Sequence, residues 1–192
     1  MPNKDHTDFM LEEYRNIAAT HDKLRDIIIR LFNYFLILAA LPFTVAGIIV
    51  KNGDFDILSA PLSLYLLCII VGIASFMLAL AILDARLGQY RYAKTVNLVR
   101  KYFLDKEQSI KEYLYLPVSD DVPQWTSLGF VGWQVYFVIF LGGILLGYGI
   151  FLWETWWLST VMCVIYWIIF LCAKKLLTTN YIKKYDLTKT TK

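Results

Sequence analysis

Four uninterrupted apolar stretches, each as long as a bilayer crossing, constrain this chain more than any other feature. Leu31 to Val50 reads LFNYFLILAALPFTVAGIIV without a charge, and Ile57 to Leu83 is a second such run. Trp125 to Trp153 and the stretch from Thr155 to Ala173 make the third and fourth. A helix needs about 20 apolar residues to cross the hydrocarbon core, so each stretch is long enough. With 58% hydrophobic and 18% charged residues in 192, the balance is far from that of a soluble domain. The expected fold is all-α: four transmembrane helices in two pairs, assembled as a homo-oligomer. The first 30 residues mix both charge signs and show no secretory leader pattern, so the mature chain is expected to start near Met1.

Charge asymmetry sets the expected orientation. Of the 19 Lys and Arg residues, all but Lys51 fall in the N-terminal segment, the middle loop or the tail. Basic loops stay on the cytoplasmic side, which predicts cytoplasmic termini and a cytoplasmic middle loop. The chain then divides into an acidic amphipathic helix (1–30), a first helix pair (31–83), a basic and aromatic linker (84–124), a second pair (125–173) and a basic tail (174–192), expected to fray. Trp125, Trp153, Trp156 and Trp157 suit the headgroup belts.

Residues 8–30 carry apolar or ring-bearing positions at Met10, Tyr14, Ile17, His21, Leu24, Ile28 and Leu31, alternating 4 and 3 apart. This heptad seam runs on through Phe35 and Leu38 with no breaker before Pro42, so one helix should begin outside the membrane and end within it. The seam needs a partner, either the basic stretch of its own chain or another copy. Asp5, Asp8, Glu12 and Glu13 crowd the start of the helix, where the macrodipole favours negative charge. Asp5, Glu12 and Asp26 share one heptad position and Asp8 and Asp22 another, making a negative face away from the seam. His21, on the seam, is expected to be a partly buried imidazole rather than a pH sensor.

If the second span continues as a helix past Asp84, then Arg86, Tyr90, Lys94, Asn97 and Lys101 fall on one stripe with Arg91 and Arg100 nearby. Cations beside stacking rings suit a single-stranded nucleic acid or a nucleotide. The same composition attracts anionic lipid headgroups, and both readings stand at this point. Beyond the stretch, Pro117 and Pro123 should end helical structure, and Asp120 and Asp121 belong to a loop.

No Asp, Glu, Lys, Arg or His lies inside a span, where catalytic or proton-relay groups would have to sit. No nucleophile-elbow, zinc-protease, P-loop or dinucleotide pattern occurs, so a non-enzyme without cofactor, metal or catalytic residues is expected. Cys68, Cys163 and Cys172 lie within spans at no zinc spacing and read as small apolar fillers. Gly143 and Gly147 form a small-xxx-small pair that lets helix backbones approach closely, within one copy or between copies. Four helices enclose no ion path of their own. A pore would form around an axis between copies, with a largely apolar wall that gates by dewetting.

The layout of EYRNIAATHDKLRD, paired spans and YRYAKTVNLVRKYFL after the second span resembles the small membrane effectors of bacterial anti-phage defence. It is similar to the two-span SLATT-type group and, more narrowly, to the four-span effector of Hailong systems. The resemblance implies an inner-membrane, homo-oligomeric channel, with a tetramer as one stoichiometry. It also implies a partner nucleotidyltransferase whose product, a short single-stranded DNA or a nucleotide, restrains the channel, and loss of that ligand lets it depolarise the cell. By position, Asp5, Asp8, Glu12 and Glu13 would be the blocking face. Arg86, Tyr90, Arg91, Lys94, Arg100 and Lys101 would be the ligand contacts. The alternative from another class is a non-conducting, membrane-anchored subunit that docks a cytoplasmic partner.

Overall fold

Hydrocarbon offers no hydrogen-bond partners, so an apolar segment that crosses it alone must pair its backbone internally, as a helix does. The computed structural model of the protein describes residues 4–51, 61–106, 132–151 and 156–185. It contains α1 (Lys4–Lys51), α2 (Leu62–Lys106), α3 (Gly132–Phe151) and α4 (Trp156–Tyr185). All four are long and apolar enough to cross a membrane, which makes the chain an all-helical, multi-pass membrane protein. Residues 57–60, 125–131, 152–153 and 155 of the expected spans lie outside the described residues, as do Pro117, Asp120, Asp121 and Pro123.

α1 runs 48 residues without interruption, about 70 Å at the usual rise of 1.5 Å per residue. The acidic segment and the first apolar run are therefore one rod. Pro42 sits inside it and does not end it, although its ring removes one backbone donor. α2 likewise continues from its apolar run through the basic stretch to Lys106. The tail does not begin to fray at Lys174, because α4 stays helical to Tyr185. Lys51 marks one end of the bundle; the cations of α1, α2 and α4 mark the other, called here the basic end.

α2 is the centre, packing against α1, α3 and α4, while α3 also touches α1 and α1 and α4 do not meet. The core joins Phe35 of α1, Val71 and Ile82 of α2, Val138 and Ile139 of α3, and Phe170 of α4. Rings close the α1–α3 contact edge to face, Phe32 on Trp133 at 5.3 Å and Phe35 on Phe137 at 6.2 Å. Such pairs add to the burial of the rings themselves. The outer faces of α1 and α4 stay apolar and exposed, as at Ile37, Phe43, Ile168 and Ile169, which is what lipid contact requires.

Glycines set the spacing of the inner helices. A Cβ on Gly72 would lie 2.7 Å from Cβ of Leu146, and one on Gly142 would lie 2.5 Å from Cβ of Ser75. A Cβ on Gly149 would lie 2.9 Å from the Tyr65 carbonyl oxygen. These contacts bring α2 and α3 to backbone distance. The Gly143 and Gly147 pair faces α4, against Tyr166 and Cys163, so it packs within the chain. The carbonyls it leaves open accept bonds from α4: Ser159 Oγ donates to Gly147 at 2.6 Å and Cys163 Sγ to Gly143 at 3.2 Å. Tyr166 Oη donates to the Gly72 carbonyl of α2 at 3.0 Å. Cys163 is thus a weak donor between helices as well as a filler. Cys68 is buried and unbonded to another cysteine, as are the more exposed Cys163 and Cys172.

Gly142→Ala should lower the unfolding midpoint in detergent by the equivalent of about 1–3 kcal/mol, the range for overpacking a tight contact. Gly47, with nothing within 4 Å of its would-be Cβ, should accept alanine without loss. Unfolding followed by circular dichroism of both variants checks the pair.

Candidate functional site at the basic end

The heptad seam of α1 finds its partner in its own chain. Ile17 and Ile28 are buried and Leu24 and Leu31 partly buried, and α1 packs along α2. A Cβ on Gly88 of α2 would lie 3.1 Å from Leu24 Cδ1, so the missing side chain admits the leucine. Arg100 Nη2 donates to Tyr14 Oη at 3.3 Å, which holds the far end of the pair together. His21 is partly buried on this seam, 3.7 Å from the exposed carboxylate of Asp22. Its backbone carbonyl is within 3.5 Å of the Gln89 amide nitrogen.

The six expected ligand contacts all lie on α2, but they do not form one surface. Arg86, Tyr90 and Lys94 are partly buried and, with exposed Lys101, continue one stripe along the helix. Arg91 is exposed, on the same outward line as Asp84, Leu98 and Asp105, which stand 7 residues apart. Arg100 turns toward α1 through its bond to Tyr14. Arg86 turns into the bundle: Nη2 donates to Gln134 Oε1 of α3 at 2.8 Å and Nη1 to Gln89 Oε1 at 3.0 Å. The stripe therefore begins inside the bundle, at the first turn of α3, and emerges from it at Lys94 and Lys101.

The acids sit elsewhere. Asp5 falls in the first turn of α1, and Asp8, Glu12, Glu13 and Asp26 are exposed. Positions 5, 12 and 26 share the helix face opposite the buried seam. None of Asp8, Glu12, Glu13 and Asp26 makes an ion pair among the described residues. Asp8, Glu12, Glu13 and Asp26 are thus presented outward rather than paired with the basic stripe.

Three polar contacts near this end were not foreseen. Gln89 is buried and joins Arg86 to the α1 backbone. Gln134 ties α3 to Arg86. Lys174 of α4 donates to Tyr136 Oη at 2.5 Å and lies 4.9 Å from its ring centroid. Glutamine is unusual in an apolar run, and Gln134 is the one amide in the third stretch, a signal that the helix faces a polar partner there. Among the described residues, no group of three or more His, Cys, Asp or Glu side chains is placed to hold a metal. No protein-family model, curated protein or solved structure matches this chain.

Ile17→Asp should release the outer part of α1 from α2 by placing a charge in the seam. Amide exchange over residues 8–24 should rise at least about tenfold, the ratio corresponding to roughly 1.4 kcal/mol. Exchange in α3 should be unaffected, and mass-resolved hydrogen exchange in detergent measures both.

Proposed function

We propose that this chain is the subunit of a homo-oligomeric ion channel of bacterial anti-phage defence, seated in the inner membrane with both termini and the basic end in the cytoplasm. A short single-stranded DNA or nucleotide, made by a partner nucleotidyltransferase, holds it closed, and release of that ligand depolarises the cell. Asp5, Asp8, Glu12 and Glu13 form the blocking face. Arg91, Lys94, Arg100 and Lys101 contact phosphates, and Tyr90 stacks on a base. The protein is not an enzyme.

One observation carries most of this reading. The acids and the first apolar run belong to one unbroken helix, and that helix packs on the helix bearing the basic stripe. A force applied at either charged surface is delivered along a rigid rod into the membrane, as a ligand gate requires. The conduit itself lies between copies, because the buried side chains of one copy fill its centre. A non-conducting docking subunit is the second reading, favoured by Phe9, Leu11 and Leu98, which are exposed apolar side chains outside the four apolar runs.

Membrane potential in bacteria expressing the intact chain or a chain lacking residues 1–13 tests the gate. The shortened chain should depolarise cells and the intact chain should do so less; unchanged potential in both favours the docking subunit. For the ligand, affinity should fall with salt. Arg91→Gln with Lys94→Gln should flatten the slope of log affinity against log salt by about 1.4, at roughly 0.7 per phosphate contact on a single strand. Titration of a labelled oligonucleotide at several salt concentrations reads that slope.

A further inference from the structure

Arg86 differs from the other cations of the basic stripe. It lies three residues past the apolar run that ends at Leu83, level with Gln134 in the first turn of α3. A guanidinium has five N–H donors. Two of the Arg86 donors meet neutral amide oxygens, those of Gln89 and Gln134. Nε is buried with no acceptor, and no carboxylate pairs with the group among the described residues. A partly buried charge without a counter-ion is costly, and nothing in these four helices supplies one.

The place of the group indicates which counter-ion fits. The start of α3 receives a second cation from another helix, since Lys174 of α4 bonds Tyr136, two residues past Gln134. Lys174 also makes no ion pair among the described residues. Both cations stand just past the ends of the apolar runs of α2 and α4, and the ends of membrane-crossing runs are where headgroup phosphates are met. The amide oxygens of Gln89 and Gln134 each occupy one Nη hydrogen in place of a carboxylate and leave the net charge of the group intact. A planar guanidinium is matched to phosphate oxygens.

We propose that Arg86 is a phospholipid site: its unused Nη donors bind the phosphate of an anionic lipid headgroup at the basic-end surface of the bilayer. Gln134 competes with that phosphate for the same guanidinium. The site is separate from the nucleic-acid contacts farther along α2 and does not depend on whether the protein conducts. Arg86 stands at the end of an apolar run and partly inside the bundle, which favours lipid over a strand approaching from the aqueous side.

Native mass spectrometry of the full chain in mild detergent tests this, with phosphatidylglycerol, phosphatidylcholine or inorganic phosphate added separately. Phosphatidylglycerol should be retained on the intact chain, and Arg86→Gln should reduce retention about tenfold, the worth of one charge-assisted bond. Arg15→Gln, at an exposed cation of α1 outside the site, should leave retention unchanged, and Arg86→Lys, which keeps the charge but not the fork, should lie between. Gln134→Leu separates binding from a structural role. A headgroup site predicts equal or greater retention, because a competitor for Nη2 is gone, whereas a mere clamp between α2 and α3 predicts the same loss as Arg86→Gln. The proposal is overturned by retention that survives Arg86→Gln, by loss in Gln134→Leu, or by equal retention of phosphatidylcholine. It is also overturned if inorganic phosphate or a short oligonucleotide displaces the lipid from the intact chain but not from Arg86→Gln.

Discussion

The approach of α2 to α3 across Gly72, Gly142 and Gly149 is the contact on which the remaining arrangement depends. Lipid tails are as apolar as leucine, so helices inside a bilayer gain little from hiding side chains from solvent and must gain from dispersion and hydrogen bonding instead. Both improve as backbones come closer. Removing Cβ at these positions lets Leu146, Ser75 and the Tyr65 carbonyl reach opposing main chain. It also exposes the Gly72 carbonyl, which Tyr166 of α4 then uses. The third interhelical contact is thus made possible by the first. Ser159, Cys163 and Tyr166, spaced 4 and 3 apart, each donate to a glycine carbonyl, so one face of α4 is positioned by carbonyls that glycine leaves accessible.

Outside the apolar runs the physics changes and so does the device. Water is present, the hydrophobic effect returns, and the joint between α1 and α2 becomes a heptad seam with leucine and isoleucine in it. The two regimes meet at the level of Arg86 and Gln89. There a buried amide and a guanidinium connect α1, α2 and α3. Because α1 and α2 pass through this level as unbroken helices, the seam outside and the glycine contacts inside are two ends of the same pair of rods.

Much of this was legible in the sequence, and the reasons are specific. Apolar run length disclosed the four helices, and the 4–3 alternation from Met10 to Leu38 disclosed a helix continuous with the first of them. The same alternation left the seam's partner open, because a heptad shows that a helix is covered and not by which chain; Leu24 at Gly88 and Tyr14 at Arg100 settle that for one copy. The side chosen by Gly143 and Gly147 was equally hidden, since a small-residue pair carries no address until Cys163 and Tyr166 stand opposite it. Among the basic residues, stripe arithmetic placed Arg86 with Tyr90 and Lys94 correctly along α2. It did not reveal that a neighbouring helix begins beside Arg86, so one member of a surface row lies half inside the bundle. Pairing between distant segments determines those outcomes, and periodicity along one segment carries no information about it.

The separation of the two charged surfaces has a mechanical consequence. Had Glu12 or Asp26 been bonded to the cations of α2, ordering α1 on α2 would have consumed the charge that any soluble partner must recognise. Instead mainly apolar side chains join the helices, and Glu12 and Asp26 stay on the far side of α1 with no ion pair among the described residues. Electrostatic attraction between exposed groups weakens over roughly 8 Å at physiological salt, whereas the seam is insensitive to salt in that range. Binding of an anion to the α2 stripe can therefore alter the field around α1 without dissolving the joint between them. Whatever motion follows is motion of the pair, resisted by the packing of α2 on α3 and by the bond between Arg86 and Gln134.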